Sequence, residues 1–177
     1  MEHLTRGELE SGLDAIRQSP HDTGVIRLIV RRPAEDEREI LEEGNIDLEV
    51  GLVGDSWSDD GPDLDRQITV TNARVIELLA HAPDRWALAG DQLYVDFDLS
   101  QTNLPPGTKL AVGSAVLEVT GEPHLGCAKF RRRFGPDALS FVNSDVGKAL
   151  RLRGMNTKVV QAGTVRAGDT IRKLSAG

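Results

Sequence analysis

The 177-residue chain has one cysteine, which excludes an internal disulfide and fits a reducing, cytoplasmic setting. No window approaches the roughly 20 consecutive apolar residues of a membrane-spanning helix. The first eight residues lack the apolar stretch of a secretory signal. Basic charge is scarce: 21 Lys and Arg stand against 28 Asp and Glu, for a net charge of −7. That balance argues against a general nucleic-acid or anionic-membrane binder, since both need a broad basic face. Four histidines (His3, His21, His81, His124) and one Cys do not supply the paired spacings of a structural zinc site. Gly51 and Gly54 lack the Gly-x-Lys-Ser/Thr ending of a phosphate-binding loop. Internal repeats and low-complexity tracts are absent as well.

What the chain does have is alternation and punctuation. Thr5 and Glu8 form a T-x-x-E capping box, and Leu9, Leu13 and Ile16 make one apolar stripe that ends at Ser19-Pro20. Residues 1–20 are therefore read as an N-terminal helical appendage to a domain spanning 21–177. From Val25 the pattern turns to strands. Ile26, Leu28 and Val30 alternate with other residues, as do Ile46, Leu48 and Val50, and again Leu93, Val95, Phe97 and Leu99. Gln67 to Thr71 reads as a strand, and Lys109 to Thr120 as two strands joined at Gly113-Ser114. Further strands are expected over 149–153, 157–161 and 170–174. Asn72 is placed to cap a helix through Ala82, and helices are expected to begin near Cys127 and to run from Pro136 to Val142. Many short strands with regular turns predict a mainly β fold, a closed or nearly closed barrel with a few peripheral helices. No βαβ rhythm and no parallel pairing are expected.

The lone Cys127 lies in the most basic stretch of this acidic protein. His124 to Arg133 holds Lys129, Arg131, Arg132 and Arg133 and no Asp or Glu, leaving 17 basic residues elsewhere against all 28 acidic ones. Neighbouring cations stabilise a thiolate, lowering the thiol pKa from its free value of about 8.5. The segment reads either as a place to hold an anion beside sulfur or as an apolar cysteine next to a solvated Arg run. His124 and Cys127 form an isolated H-x-x-C, one helical turn apart if the segment is helical, which leaves Cys–His nucleophilic catalysis open. Asp55 after Gly54 would order its loop or position a ligand at the barrel mouth.

Several colinear segments resemble the MOSC family, named for the C-terminal domain of molybdenum-cofactor sulfurases. They are Gly51-Leu52-Val53-Gly54-Asp55, Arg66-Gln67-Ile68-Thr69-Val70, Asn103-Leu104-Pro105 with Gly107-Thr108-Lys109-Leu110, Val112 through Thr120, Cys127, and Gly163 through Asp169. The resemblance implies a β-barrel that uses one cysteine, here Cys127, as a molybdenum ligand or sulfur acceptor. It implies the molybdenum cofactor (molybdopterin), whose phosphate Lys129, Arg131, Arg132, Arg133, Arg66, Asn103 and Asn143 would hold. In a helix, Lys129, Arg132 and Arg133 cannot all share a face with Cys127. The chain departs from the family in having Ser56-Trp57 where many members place a histidine, and Gly126 where a proline commonly precedes the cysteine. No part of it is long enough to be a pyridoxal-phosphate desulfurase domain. The implied functions are reduction of N-hydroxylated small molecules with an external reductase, or carriage of cofactor or of persulfide sulfur delivered by a cysteine desulfurase. A barrel with a merely structural Cys127 is the remaining alternative.

Overall fold

The computed structural model describes residues 2–59 and 61–175. Its strands are β1 (Thr23–Arg31), β2 (Glu39–Leu41), β3 (Glu43–Asp47), β4 (Gly51–Leu52), β5 (Ile68–Asn72), β6 (Leu93–Asp96), β7 (Lys109–Val112), β8 (Ala115–Val119), β9 (Met155–Gln161), β10 (Gly163–Arg166) and β11 (Thr170–Lys173). The α-helices are α1 (Arg6–Ser11), α2 (Leu13–Arg17), α3 (Ala73–Ala80), α4 (Ala128–Phe134), α5 (Pro136–Asn143) and α6 (Asp145–Leu150). Seven strands follow the order β11-β7-β8-β9-β5-β6-β1, and β1 pairs back onto β11 to close a barrel. β2 extends the ring beyond β1, and β10, β3 and β4 form a separate three-stranded sheet. Closure leaves the ring without an unpaired edge. The seam runs through Gly24, opposite Ile171 on β11, where a Cβ would lie 2.0 Å from the carbonyl oxygen of Asp96.

Two apolar clusters explain this architecture. One fills the barrel, with Ile26, Val70, Val95, Leu117, Met155 and Ile171 all buried. The other lies outside it and joins Leu9, Val75, Leu79, Tyr94, Phe130, Phe134 and Phe141 from the helices and the outer face of β6. Tyr94 is fully buried although its neighbours Leu93 and Val95 point into the barrel. β6 is thus covered on both faces, the condition under which parallel pairing is normally found. β5 and β6 do pair in parallel, with α3 as the crossover, contrary to the all-antiparallel expectation. A parallel pair needs such a connection, and the Val75-Ile76-Leu79 stripe of α3 gives it a packing face.

Most expected elements form. Thr5 and Glu8 close the capping box, although the N-terminal helix breaks at Gly12 into α1 and α2. Asn72 accepts a hydrogen bond from the Arg74 amide at 2.9 Å and starts α3. Others differ: β6 stops at Asp96, short of Leu99, and β2 and β4 form within segments 34–44 and 51–65, expected as connection and loop. β3 stops at Asp47, whose carboxylate accepts the amides of Glu49 and Val50, so Leu48 is left exposed. The expected strand over 149–153 is instead the end of α6 and a turn, because Ser144 caps the helix through the Gly147 amide. Gly163 opens β10 and does not serve as a turn residue alone.

Candidate functional site

Cys127 sits between the loop that leaves β8 and the first turn of α4. It is the N-cap of that helix, in an extended backbone conformation, and its thiol is exposed. It therefore does not pack as an apolar core cysteine. The loop before it is pinned at several points. Asn143 on α5 accepts a hydrogen bond from the Gly126 amide at 2.8 Å and donates to the Gly126 carbonyl at 3.1 Å. Asn156 on β9 donates to the carbonyls of Glu122 and Pro123, each at 3.2 Å.

Partial burial pushes the Cys127 thiol pKa up. The facing amides of Phe130 and Lys129 and the charges of Arg153 and Arg133 outweigh it, and the net shift is downward. No hydrogen bond from the side chain closes the cap, so these amides act on the sulfur as dipoles.

Arg133 and Arg153, whose charges act on this thiol, belong to a cluster of arginines gathered from distant segments. Four consecutive carbonyls at the end of the 3-10 segment Pro83–Ala89 each accept a hydrogen bond from a different arginine. Arg38 Nε donates to Ala87 at 3.3 Å, Arg133 Nη1 to Leu88 at 2.7 Å, Arg153 Nη2 to Ala89 at 2.9 Å, and Arg32 Nη1 to Gly90 at 3.1 Å. Gly90 permits the fan: its φ of 86° turns the chain sharply, in a region that side-chain-bearing residues disfavour.

Two buried carboxylates neutralise part of this charge. Asp55 holds Arg32 through both carboxylate oxygens, with Nη2 at 2.8 Å and Nε at 3.0 Å, and also caps Trp57. Asp91, fully buried, pairs with Arg153 Nη1 at 2.6 Å and with His124 Nε2 at 2.7 Å. Burial pushes the Asp91 carboxyl up, but Arg153 and His124 hold it down at about 2. His124 is shifted below its ordinary value, chiefly by burial, so its ring is neutral near pH 7. Arg38 makes no ion pair among the described residues and donates only to the carbonyls of Glu37 and Ala87. Burial and the charges of Arg133 and Arg32 all disfavour its charged form. The fan thus carries cationic charge that its own carboxylates do not fully balance.

The residues read from the sequence distribute unevenly over this site. Arg133 joins the fan, and Asp36 meets its other nitrogen at 3.1 Å. Lys129, one turn earlier on the same side of α4, pairs with Glu35 at 2.7 Å. Arg131 and Arg132 are exposed. Arg66 reaches Glu122 at the margin of the cysteine loop. Asn103 spends its amide on the carbonyls of His21 and Asp98 and so anchors a distant loop. Asp55 and Asn143 act by holding Arg32 and Gly126. Cys127 and His124 share no hydrogen bond among the described residues, because the helix begins only after Cys127 and His124 turns inward to Asp91. Sequence reasoning missed Arg32, Arg38, Asp91 and Arg153. Nothing in local spacing brings them together; the pairing of β1, β6, β5 and β9 does.

Comparison with known proteins decides the lineage. The profile of the MOSC domain matches residues 53–172, more than half of the chain. The chain belongs to the MOSC domain family. Among solved structures, it is similar to the YuaD protein from Bacillus subtilis at 20% identity and a TM-score of 0.63, covering 88% of this chain and 97% of that one. It is similar to YiiM from Escherichia coli at 20% identity and a TM-score of 0.58, over 86% of this chain and 71% of that one. YiiM from Geobacillus stearothermophilus matches at 15% identity and a TM-score of 0.56, over 87% and 74%. At these identities the likeness concerns the fold. No curated protein matches the sequence significantly. Within this MOSC domain, Cys127 stands at the junction of the barrel and its helical cover, beside the arginine fan.

Proposed function

We propose that this MOSC domain binds a molybdenum cofactor, with Cys127 as the protein ligand of the metal and the arginine fan as the seat of the cofactor's phosphate. The observation that carries this reading is the exposed, pKa-lowered thiol lying in the field of Arg133 and Arg153, with Arg38 free of any ion pair among the described residues. The donor set fits such a group. No three His, Cys, Asp or Glu converge on a metal site among the described residues. Cys127 therefore offers one soft ligand, suited to a metal that arrives inside a cofactor with its own donors. Guanidinium groups suit phosphate because their planar N–H forks match its oxygens.

When bound, the cofactor would supply two-electron redox chemistry at the metal. The chain's own residues hold the rest of the site. Asp55 and Asp91 fix Arg32 and Arg153 in place, Asn143 fixes the backbone before Cys127, and His124 keeps its proton on Nε2, toward Asp91. The reaction is reduction of an N-hydroxylated small molecule, in which R–NHOH takes two electrons and two protons to give R–NH2 and water. Electrons come from an external reductase, in the cytoplasm, where a lone thiol stays reduced. The exposure of Cys127 favours one second reading, a carrier that accepts persulfide sulfur from a desulfurase.

The two readings separate in one experiment. Protein loaded with molybdenum cofactor and given reduced methyl viologen is expected to convert N-hydroxybenzamidine to benzamidine, and Cys127→Ser to abolish the conversion. Loaded protein that is inactive but takes up persulfide from a desulfurase would replace the first reading with the second.

A further inference from the structure

On the flank of the cysteine loop lies a cavity of about 540 Å³ whose lining includes His124 and Leu125 but not Cys127. Its size is that of a small-molecule pocket, and it sits between the barrel and the helices, where such pockets commonly form. The walls are largely apolar, with Leu125, Val142 and Met155 contributing, but the charges in them do not cancel. Lys148 is exposed and makes no ion pair among the described residues. Arg151 is anchored by donating to the carbonyls of Leu99 and Leu104 and also lacks a carboxylate partner among them. The one lining carboxylate, Glu122, is already paired with Arg66. In a protein of net charge −7, this pocket is locally cationic.

His124 adds a directional contact. Its Nε2 is committed to the fully buried Asp91, while Nδ1 makes no hydrogen bond among the described residues and is not among their sealed, unpartnered atoms. With the proton on Nε2 donated to the Asp91 carboxylate, Nδ1 of the neutral ring is an acceptor. The pocket therefore offers a cation, an apolar body and one acceptor.

We infer that this cavity binds a small aromatic or aliphatic carboxylate, its acid group on Lys148, its apolar body against Leu125, Val142 and Met155, and an N–H or O–H of the ligand donated to His124 Nδ1. This site adjoins the proposed cofactor seat through His124, but its lining omits Cys127, and its occupancy does not require Cys127 chemistry. It gives the domain a means of recognising an organic acid.

Indole-3-acetate carries all three features and serves as the probe, titrated into the full chain without added cofactor and followed by calorimetry. One-to-one saturable binding is expected. Lys148→Glu, a change at an exposed position, should weaken it at least about tenfold, as should replacing the probe by neutral indole-3-acetamide. Arg17→Glu, the same charge change on exposed α2, should leave it within about twofold. Absence of saturation up to about 1 mM would overturn the inference. So would a Lys148→Glu variant that binds like the parent, or 1-naphthaleneacetate, which lacks the N–H, binding as tightly as the indole. Because no cofactor is present, none of these results depends on molybdenum loading.

Discussion

At the scale of single residues, Asp91 governs the site. It is fully buried and joins Arg153 and His124, so removing it strands a guanidinium that is only 8% exposed. Breaking one partner of a buried pair costs about 3–5 kcal/mol. Asp91→Ala is therefore expected to lower stability by that order in chemical denaturation. Acid should act on the same cluster in two stages. His124 has a depressed folded-state pKa, so the unfolded chain binds the extra proton first, and stability falls as pH drops below about 6.5. Asp91 follows: its contribution is complete above the unfolded value near 3.8 and is lost as pH falls toward about 2. Melting temperature measured from pH 8 to pH 2 should decline in those two steps, and His124→Gln should remove the upper one. Much of this was illegible in the sequence. Cys127 announces itself by its basic neighbours, whereas Arg38 is one cation inside an acidic run and Asp91 follows an ordinary turn glycine.

At the scale of elements, the short helices exist because they dock. α1 has six residues, too few to be stable alone, and its capping box contributes about 1 kcal/mol. Leu9 supplies the rest of its attachment, being fully buried in the outer cluster with Phe141 and Phe134. Leu9→Ala is expected to cost about 2–5 kcal/mol in urea unfolding, far more than loss of the cap. A cost below about 1 kcal/mol would show that α1 is not part of the cooperative unit. Capping and turn signals are local, which is why the box at Thr5, the cap at Asn72 and the Gly113-Ser114 hairpin could be read directly. The strand expected over 149–153 failed because a Ser cap at 144 starts a helix that takes Ala149 and Leu150 and leaves 151–153 as the turn that ends it. A short apolar run cannot by itself distinguish the two states.

At the scale of the whole molecule, the adjacency of β1, β6, β5 and β9 in the barrel wall creates the site. β1 brings Arg32 from one end of the chain, β9 is preceded by Arg153 near the other, and the segment before β6 supplies the carbonyls on which both arginines rest. Strand alternation made the barrel legible. It could not show the parallel β5–β6 pair, because burial on both faces depends on the helical layer and leaves no mark on periodicity. In the proposed function, this convergence makes the thiolate and the arginines one seat for one cofactor. The most direct test of that reading is the molybdenum and pterin content of the protein purified from a molybdate-supplied host that makes the cofactor. The account predicts close to one molybdenum and one pterin per chain in the parent. It predicts loss of the metal in Cys127→Ser and weakened retention of the pterin in Arg38→Ala. A parent protein that carries neither, and takes up neither when free cofactor is added, would contradict it.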